Sequence, residues 1–181
     1  PRNGDLPHTR LRDHGNEAIV GLVLLHALYS EMGLDGIERD RVVIRRMLDR
    51  VLASANPDGM LYNDVRKTDE RLSDNWGYVY SAVYAFHQLT GEPRWREAAT
   101  KVLANLPRYR KYDWERGSMD GYADTIEGAL YLVNREPVAE ALGWIESEMQ
   151  ILFAYQKPDG VLERWYGDGN FTRTTLLYAL M

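Results

Sequence analysis

Asp124 and Glu127 stand three residues apart in a run, Gly121–Val133, that is otherwise apolar. On a helix that spacing puts both carboxyls on one face. Carboxyls on a buried helix must be paired or solvated, because an unpaired charge is costly away from water. One use for such a pair is glycoside hydrolysis, in which one carboxyl acts as acid and the other as base or nucleophile. The structural alternative is an ion pair with Arg135, Arg164 or Arg173. Asp74, Asp120 and Asp168 open similar apolar runs. Each fits an N-cap, and each equally fits a carboxylate at the mouth of a site. The acid/base candidates are therefore Asp74, Asp120, Asp124 and Glu127.

His14 and Asn16 open the first apolar run and could bind a sugar hydroxyl, with His14 also able to move a proton. Trp76, Tyr78, Trp114, Tyr122 and Trp165 offer flat aromatic faces on which a sugar could stack, and Arg173 completes the binding set. His26 and His87 read as packing residues between helices. No metal-ligand spacing, phosphate loop or nucleophile elbow is present, and no cofactor is expected.

Four polar starts lead into helices that are apolar on nearly every side: Asp13–Asn16 into Ala18–Tyr29, Ser73–Tyr78 into Val79–Phe86, Met119–Tyr122 into Ile126–Val133, and Asp168–Phe171 into Leu176–Leu180. A helix apolar all round lies inside a protein. Between these runs lie helices with a single stripe. Ile44, Met47, Leu48, Val51 and Ala55 mark the first, within Ile37–Ala55. Trp95, Ala98, Ala99, Val102, Leu103 and Leu106 mark the second, within Pro93–Leu106. Val138, Ala141, Leu142, Ile145, Met149 and Leu152 mark the third. Inner helices thus alternate with outer ones, with a period near fifty residues that fits a helical-hairpin repeat. Inner-to-outer turns are short (Gly33–Gly36, Thr90–Glu92, Asn134–Arg135), whereas outer-to-inner loops are long. In antiparallel hairpins the long loops and the inner-helix starts share one face, and that face is the expected functional side. Met60–Tyr62 and Val161–Glu163, which follow the two Pro-Asp-Gly turns, are candidates for short extended pairing.

The 181 residues fit a single domain. A net charge of −5 argues against a nucleic-acid binder, which needs a basic face. Cysteine is absent, which excludes disulfides and thiolate chemistry. The most apolar run, Ala18–Tyr29, is too short to span a bilayer, so no membrane role is expected. The sequence opens at Pro1 and stops at Met181 inside an apolar pattern, which reads as part of a larger unit, with missing helices or another subunit as partners.

Alternating inner and outer helices resemble the (α/α) toroids. Thr90-Gly91-Glu92-Pro93-Arg94-Trp95, followed by Ala98-Ala99, resembles the inter-helix phrase of the six-hairpin glycosidase superfamily. The Pro-Asp-Gly turns at 57–59 and 158–160 are also common there. The resemblance implies about half a toroid, a carbohydrate ligand, and a site in the funnel at the inner-helix starts. It covers hydrolases, lyases and epimerases, and no specific family motif stands out. A hydrolase is the leading expectation. A non-catalytic module binding glycan or protein is the second, and a polysaccharide lyase using His14, Asn16 and Tyr78 is the third. Gln156–Leu162 also resembles the turn of terpenoid cyclases, but Leu162 replaces their Trp and the acidic Asp-x-Asp-Asp signature is missing.

Overall fold

The computed structural model describes residues 14–34, 37–64, 70–114, 119–160 and 162, with the side chains of 14–17 and 37 also outside the description. The described residues are all-helical: α1 (His14–Glu31), α2 (Ile37–Leu52), α3 (Trp76–Thr90), α4 (Pro93–Asn105), α5 (Met119–Val133) and α6 (Ala139–Ala154), with a 3-10 turn at Leu106–Tyr109. The expected fourth inner helix lies outside the described residues.

The helix limits follow local chemistry. Pro93 occupies the first turn of α4, where its missing N–H costs nothing. Gly91 closes α3 in the left-handed conformation at φ 72°, and its N–H bonds His87 O at 2.8 Å. α2 ends at Leu52 rather than at Ala55, because Ser54 and Ala55 tighten to bonds with Val51 O and Leu52 O. At Asn56–Gly59 the Asn56 side chain accepts the N–H groups of Asp58 and Met60, and Gly59 takes φ 94°. Lys157–Gly160 repeats the turn, with Gly160 at φ 87°. Tyr62 forms an isolated antiparallel bridge with Leu72, so the extended piece after the first turn pairs within its own loop. Most of Val161–Glu163 lies outside the described residues.

α3 buries almost every residue from Trp76 to Phe86 and packs on α1, α5 and α4. α2 packs on α1, and α6 packs on α5 and α4. α2 and α4 bury single stripes (Ile44, Leu48 and Val51; Trp95, Ala99, Val102 and Leu103), as their periodicity predicts. α6 departs from its predicted stripe. Leu142 is exposed, and Trp144 and Glu148 are buried in its place. The cause is the indole of Trp144, which sits edge-on between Trp76 and Trp114 at centroid distances of 6.5 and 6.2 Å. A ring of that area sets the rotation of its helix.

α3 and α5 run in the same direction. Their contacts climb together, from Asn75–Asp124 through Trp76–Thr125 to Tyr84–Arg135, with partners 49 to 51 residues apart. The offset near fifty residues is a spatial register between α3 and α5. The two helices touch at Gly77 and Gly128. A Cβ built on Gly77 would meet Gly128 Cα at 2.3 Å, and one built on Gly128 would meet Gly77 Cα at 2.5 Å. No side chain can yield there, because backbone faces backbone.

Gly128→Ala is therefore expected to cost about 3 kcal/mol in urea denaturation, the upper range for overpacking. Gly21→Ala, whose Cβ meets nothing within 4 Å, should instead gain up to about 1 kcal/mol from helix propensity. Leu103→Asp should unfold the domain, at a cost of roughly 3 kcal/mol or more, and Arg46→Asp should stay within about 0.5 kcal/mol. Equal midpoints for Gly128→Ala and Gly21→Ala would overturn the helix crossing.

Candidate functional site

The crossing decides what meets beside it. Asp120, Asp124 and Glu127 fall at i, i+4 and i+7 on α5 and so share a face. Asp74, Asn75 and Tyr78 lie where the chain enters α3. The Asn75 amide donates to Asp124 Oδ2 at 2.7 Å. The Tyr78 hydroxyl donates to Glu127 Oε2 at 2.8 Å and lies 3.4 Å from Asp124 Oδ1. One phenol therefore spans both carboxyls. Asp74 Oδ1 accepts the Asn75 N–H at 2.9 Å.

All four acid/base candidates thus gather around one point. The capping roles expected of Asp74 and Asp120 do not hold, and Asp168 lies outside the described residues. Asn75 occupies the N-cap position of α3, and Asp74 precedes it. Asp120 lies inside the first turn of α5, where its charge suits the helix dipole. The alternative of an ion pair with Arg135 is also excluded by position. Arg135 lies over the Tyr131 ring at 3.6 Å and donates to Tyr131 O. Arg164 and Arg173 lie outside the described residues.

The electrostatics are unusual. Burial, followed by the charges of Asp120 and Asp74, raises the Asp124 carboxyl to about 8, against partial relief from the Asn75 amide. Asp124 is therefore largely protonated at neutral pH and can donate a proton. Tyr78 is pushed far up, first by burial and then by Asp124 and Glu127, so its phenol stays neutral.

The aromatic expectations divide. Tyr78 is half-buried and borders a cavity. Trp76 and Trp114 are 0 % and 1 % exposed and belong to the core, so neither has a free face for a sugar. The Trp76 indole N–H is bonded to Thr125 Oγ1. Both are candidates for a stacking platform by residue type, yet each indole faces inward. Tyr122 is buried with its hydroxyl on Tyr112 O at 3.2 Å. His14, Asn16 and Trp165 fall outside the described side chains. His26 is buried, as its packing role requires, and burial lowers its pKa. His87 is half-buried, with Nδ1 2.9 Å from Glu92 O.

Asn75, Gly77 and Gly128 are functional in the sense that they place the carboxyls, yet none was a site candidate. The glycines carried a signal: a glycine inside an apolar helix costs about 1 kcal/mol against alanine and so implies a packing reason. Glu148 carried none. It is fully buried on α6, with no hydrogen bond to either carboxylate oxygen. Burial raises it to about 7. The nearby Lys111 amide, Trp114 indole and Ser147 hydroxyl ease that penalty without reaching hydrogen-bonding geometry. Among the described residues no cluster of His, Cys, Asp and Glu could hold a metal, and no helix is long and apolar enough to cross a membrane.

Asp124 and Glu148 both have raised folded pKa values. Their penalty is absent below the unfolded carboxyl range and complete above the folded value. Stability should fall as pH rises from about 4 to about 8. Glu148→Gln should remove part of that slope and gain on the order of 1–3 kcal/mol at pH 8, as read from urea midpoints across pH. An unchanged slope in this variant would show that Glu148 is solvated. Comparison with family models, curated proteins and solved structures returns no match.

Proposed function

We propose that the chain is a carbohydrate-active domain of α/α-toroid type with a glycoside-hydrolase-like site at Asp124 and Glu127. The observation that carries this reading is the shared Tyr78 hydroxyl, 2.8 Å from one carboxyl and 3.4 Å from the other. Those distances keep the bridged oxygens closer than the roughly 6.5–9.5 Å of inverting enzymes and suit the roughly 5–5.5 Å of retaining ones. Asp124, held protonated by burial, takes the role of general acid. Glu127 takes the role of nucleophile, with Tyr78 steadying its charge. Asn75 orients Asp124 through its amide.

The toroid part of the proposal draws support from the parallel course of α3 and α5 at an offset near fifty residues. The two long loops also meet. Arg71 donates to Trp114 O at 2.7 Å, and Leu72 N–H donates to Tyr112 Oη at 2.9 Å. Both are as expected if hairpins repeat around a common axis. The lyase reading loses ground on chemistry. A lyase base must give up its proton, whereas Tyr78 is held neutral. A non-catalytic helical-repeat module is the second reading, favoured by the exposed apolar residues Leu22, Leu25, Leu28 and Met32 along α1.

Assay of the full chain on a panel of oligosaccharides is expected to show cleavage. Asp124→Asn and Glu127→Gln should each abolish turnover with the fold intact, and Tyr78→Phe should lower kcat by about 100-fold. Undiminished hydrolysis in Asp124→Asn, or ligand bound at Thr90–Glu92 instead, would sink the catalytic assignment. Binding unaffected by either carboxyl change, without turnover, would favour the module. Trp76→Ala would test the core rather than the ligand.

A further inference from the structure

A cavity of about 130 Å³ lies between α1, α3 and α5, beside the carboxyl pair. Its walls are Val20 and Leu24 from α1, Tyr78 from α3, and Glu127, Gly128 and Tyr131 from α5. Ser81 also borders it, but its hydroxyl is turned back onto Gly77 O at 2.8 Å. The lining is therefore aliphatic and aromatic, with a single charged side chain, Glu127. The Tyr78 hydroxyl is already committed to the carboxyls. The Tyr131 phenol is the one remaining hydroxyl among the described lining residues, and neither Lys nor Arg lines the wall. The nearest positive group on α5, Arg135, is laid flat on the Tyr131 ring and bonded to a backbone carbonyl.

Carboxylate at one side, aromatic rings beside it and hydrocarbon opposite are the three elements that recognise an organic ammonium ion. The carboxylate neutralises the charge, the ring faces attract it through their quadrupoles, and the aliphatic wall takes up the apolar body. A neutral guest would gain only the apolar contact. An anionic one would meet Glu127 and no compensating cation among the described lining residues.

We propose that this cavity binds a small organic ammonium ion carrying an apolar body, seated with its charge on Glu127 and its body on Val20, Leu24 and Tyr131. The proposal stands on the cavity and does not require the hydrolase reading. Where both hold, the preferred substrate carries an amino group rather than a uronate.

Three probes of one shape test it: phenethylammonium, phenethyl alcohol and phenylacetate, each titrated into the isotope-labelled full chain and followed by amide shifts. Phenethylammonium should bind at least tenfold tighter than the alcohol, shifting Leu24, Tyr78, Gly128 and Tyr131, while phenylacetate leaves these signals in place. Glu127→Gln should bring the ammonium down to the level of the alcohol and leave the alcohol unchanged. Leu24→Lys, at a half-exposed position, should abolish ammonium binding even if Glu127→Gln fails to fold. Equal binding of the three probes, tighter binding of phenylacetate, or no binding of any to the folded chain would each overturn the proposal. None of these outcomes bears on whether Asp124→Asn stops hydrolysis, so the two readings fail separately.

Discussion

The contact between Gly77 and Gly128 is the constraint on which the rest depends. Two backbones meet where any side chain would hold them apart. Close approach brings the first turn of α3 against the middle of α5. Trp76 can then reach Thr125, Asn75 can reach Asp124, and Tyr78 can reach Glu127. These bonds cross a distance that short side chains could not span between helices packed through leucine. Glycine lowers the propensity of both helices, and the packing around the crossing offsets that loss. Fold and site thus share one point of contact.

Much of the architecture was legible in the sequence because it is periodic. The all-round apolar run of α3 and the stripes of α2 and α4 map onto burial, and Pro93 and Gly91 mark a helix boundary where expected. Asp124 and Glu127 were legible as a pair from their i, i+3 spacing on one helix face, and Asp74 and Asp120 as residues that open apolar runs. The phase of α6 was not. Its stripe was read from aliphatic spacing, whereas one tryptophan in a seam with two others determines the rotation. Trp76 and Trp114 were misplaced for a related reason. The flat face that would suit a sugar also suits a seam between helices, and residue type alone does not say which way an indole turns. The partners of the carboxyls were equally hidden, because a tyrosine fifty residues away is chosen by helix register and not by spacing.

The carboxyl cluster and Glu148 show how one core can hold acids in different conditions. Asp124 keeps an amide and a phenol for company, and its environment is polar enough to be useful. Glu148 lies wholly inside, with no hydrogen bond to either carboxylate oxygen. Burial raises both, and the first lies 3.4 Å from the hydroxyl of Tyr78, which borders a cavity that a ligand could enter. A raised carboxyl therefore identifies a reactive centre only together with access. The ion pairs between α2 and the start of α4, such as Arg45–Glu92 and Arg94–Asp49, are half-exposed and contribute little beyond fixing how α2 lies near α4.

The burial of the indoles has an optical consequence. Trp76, Trp95, Trp114 and Trp144 are all closed off from solvent, and three of them form one edge-to-edge group, while the cavity is bordered by tyrosines. Emission from these four rings should be blue-shifted in the folded chain and should move when the core opens. A guest in the cavity touches none of them. Emission from these four rings is thus a gauge of integrity that does not report on occupancy of the cavity.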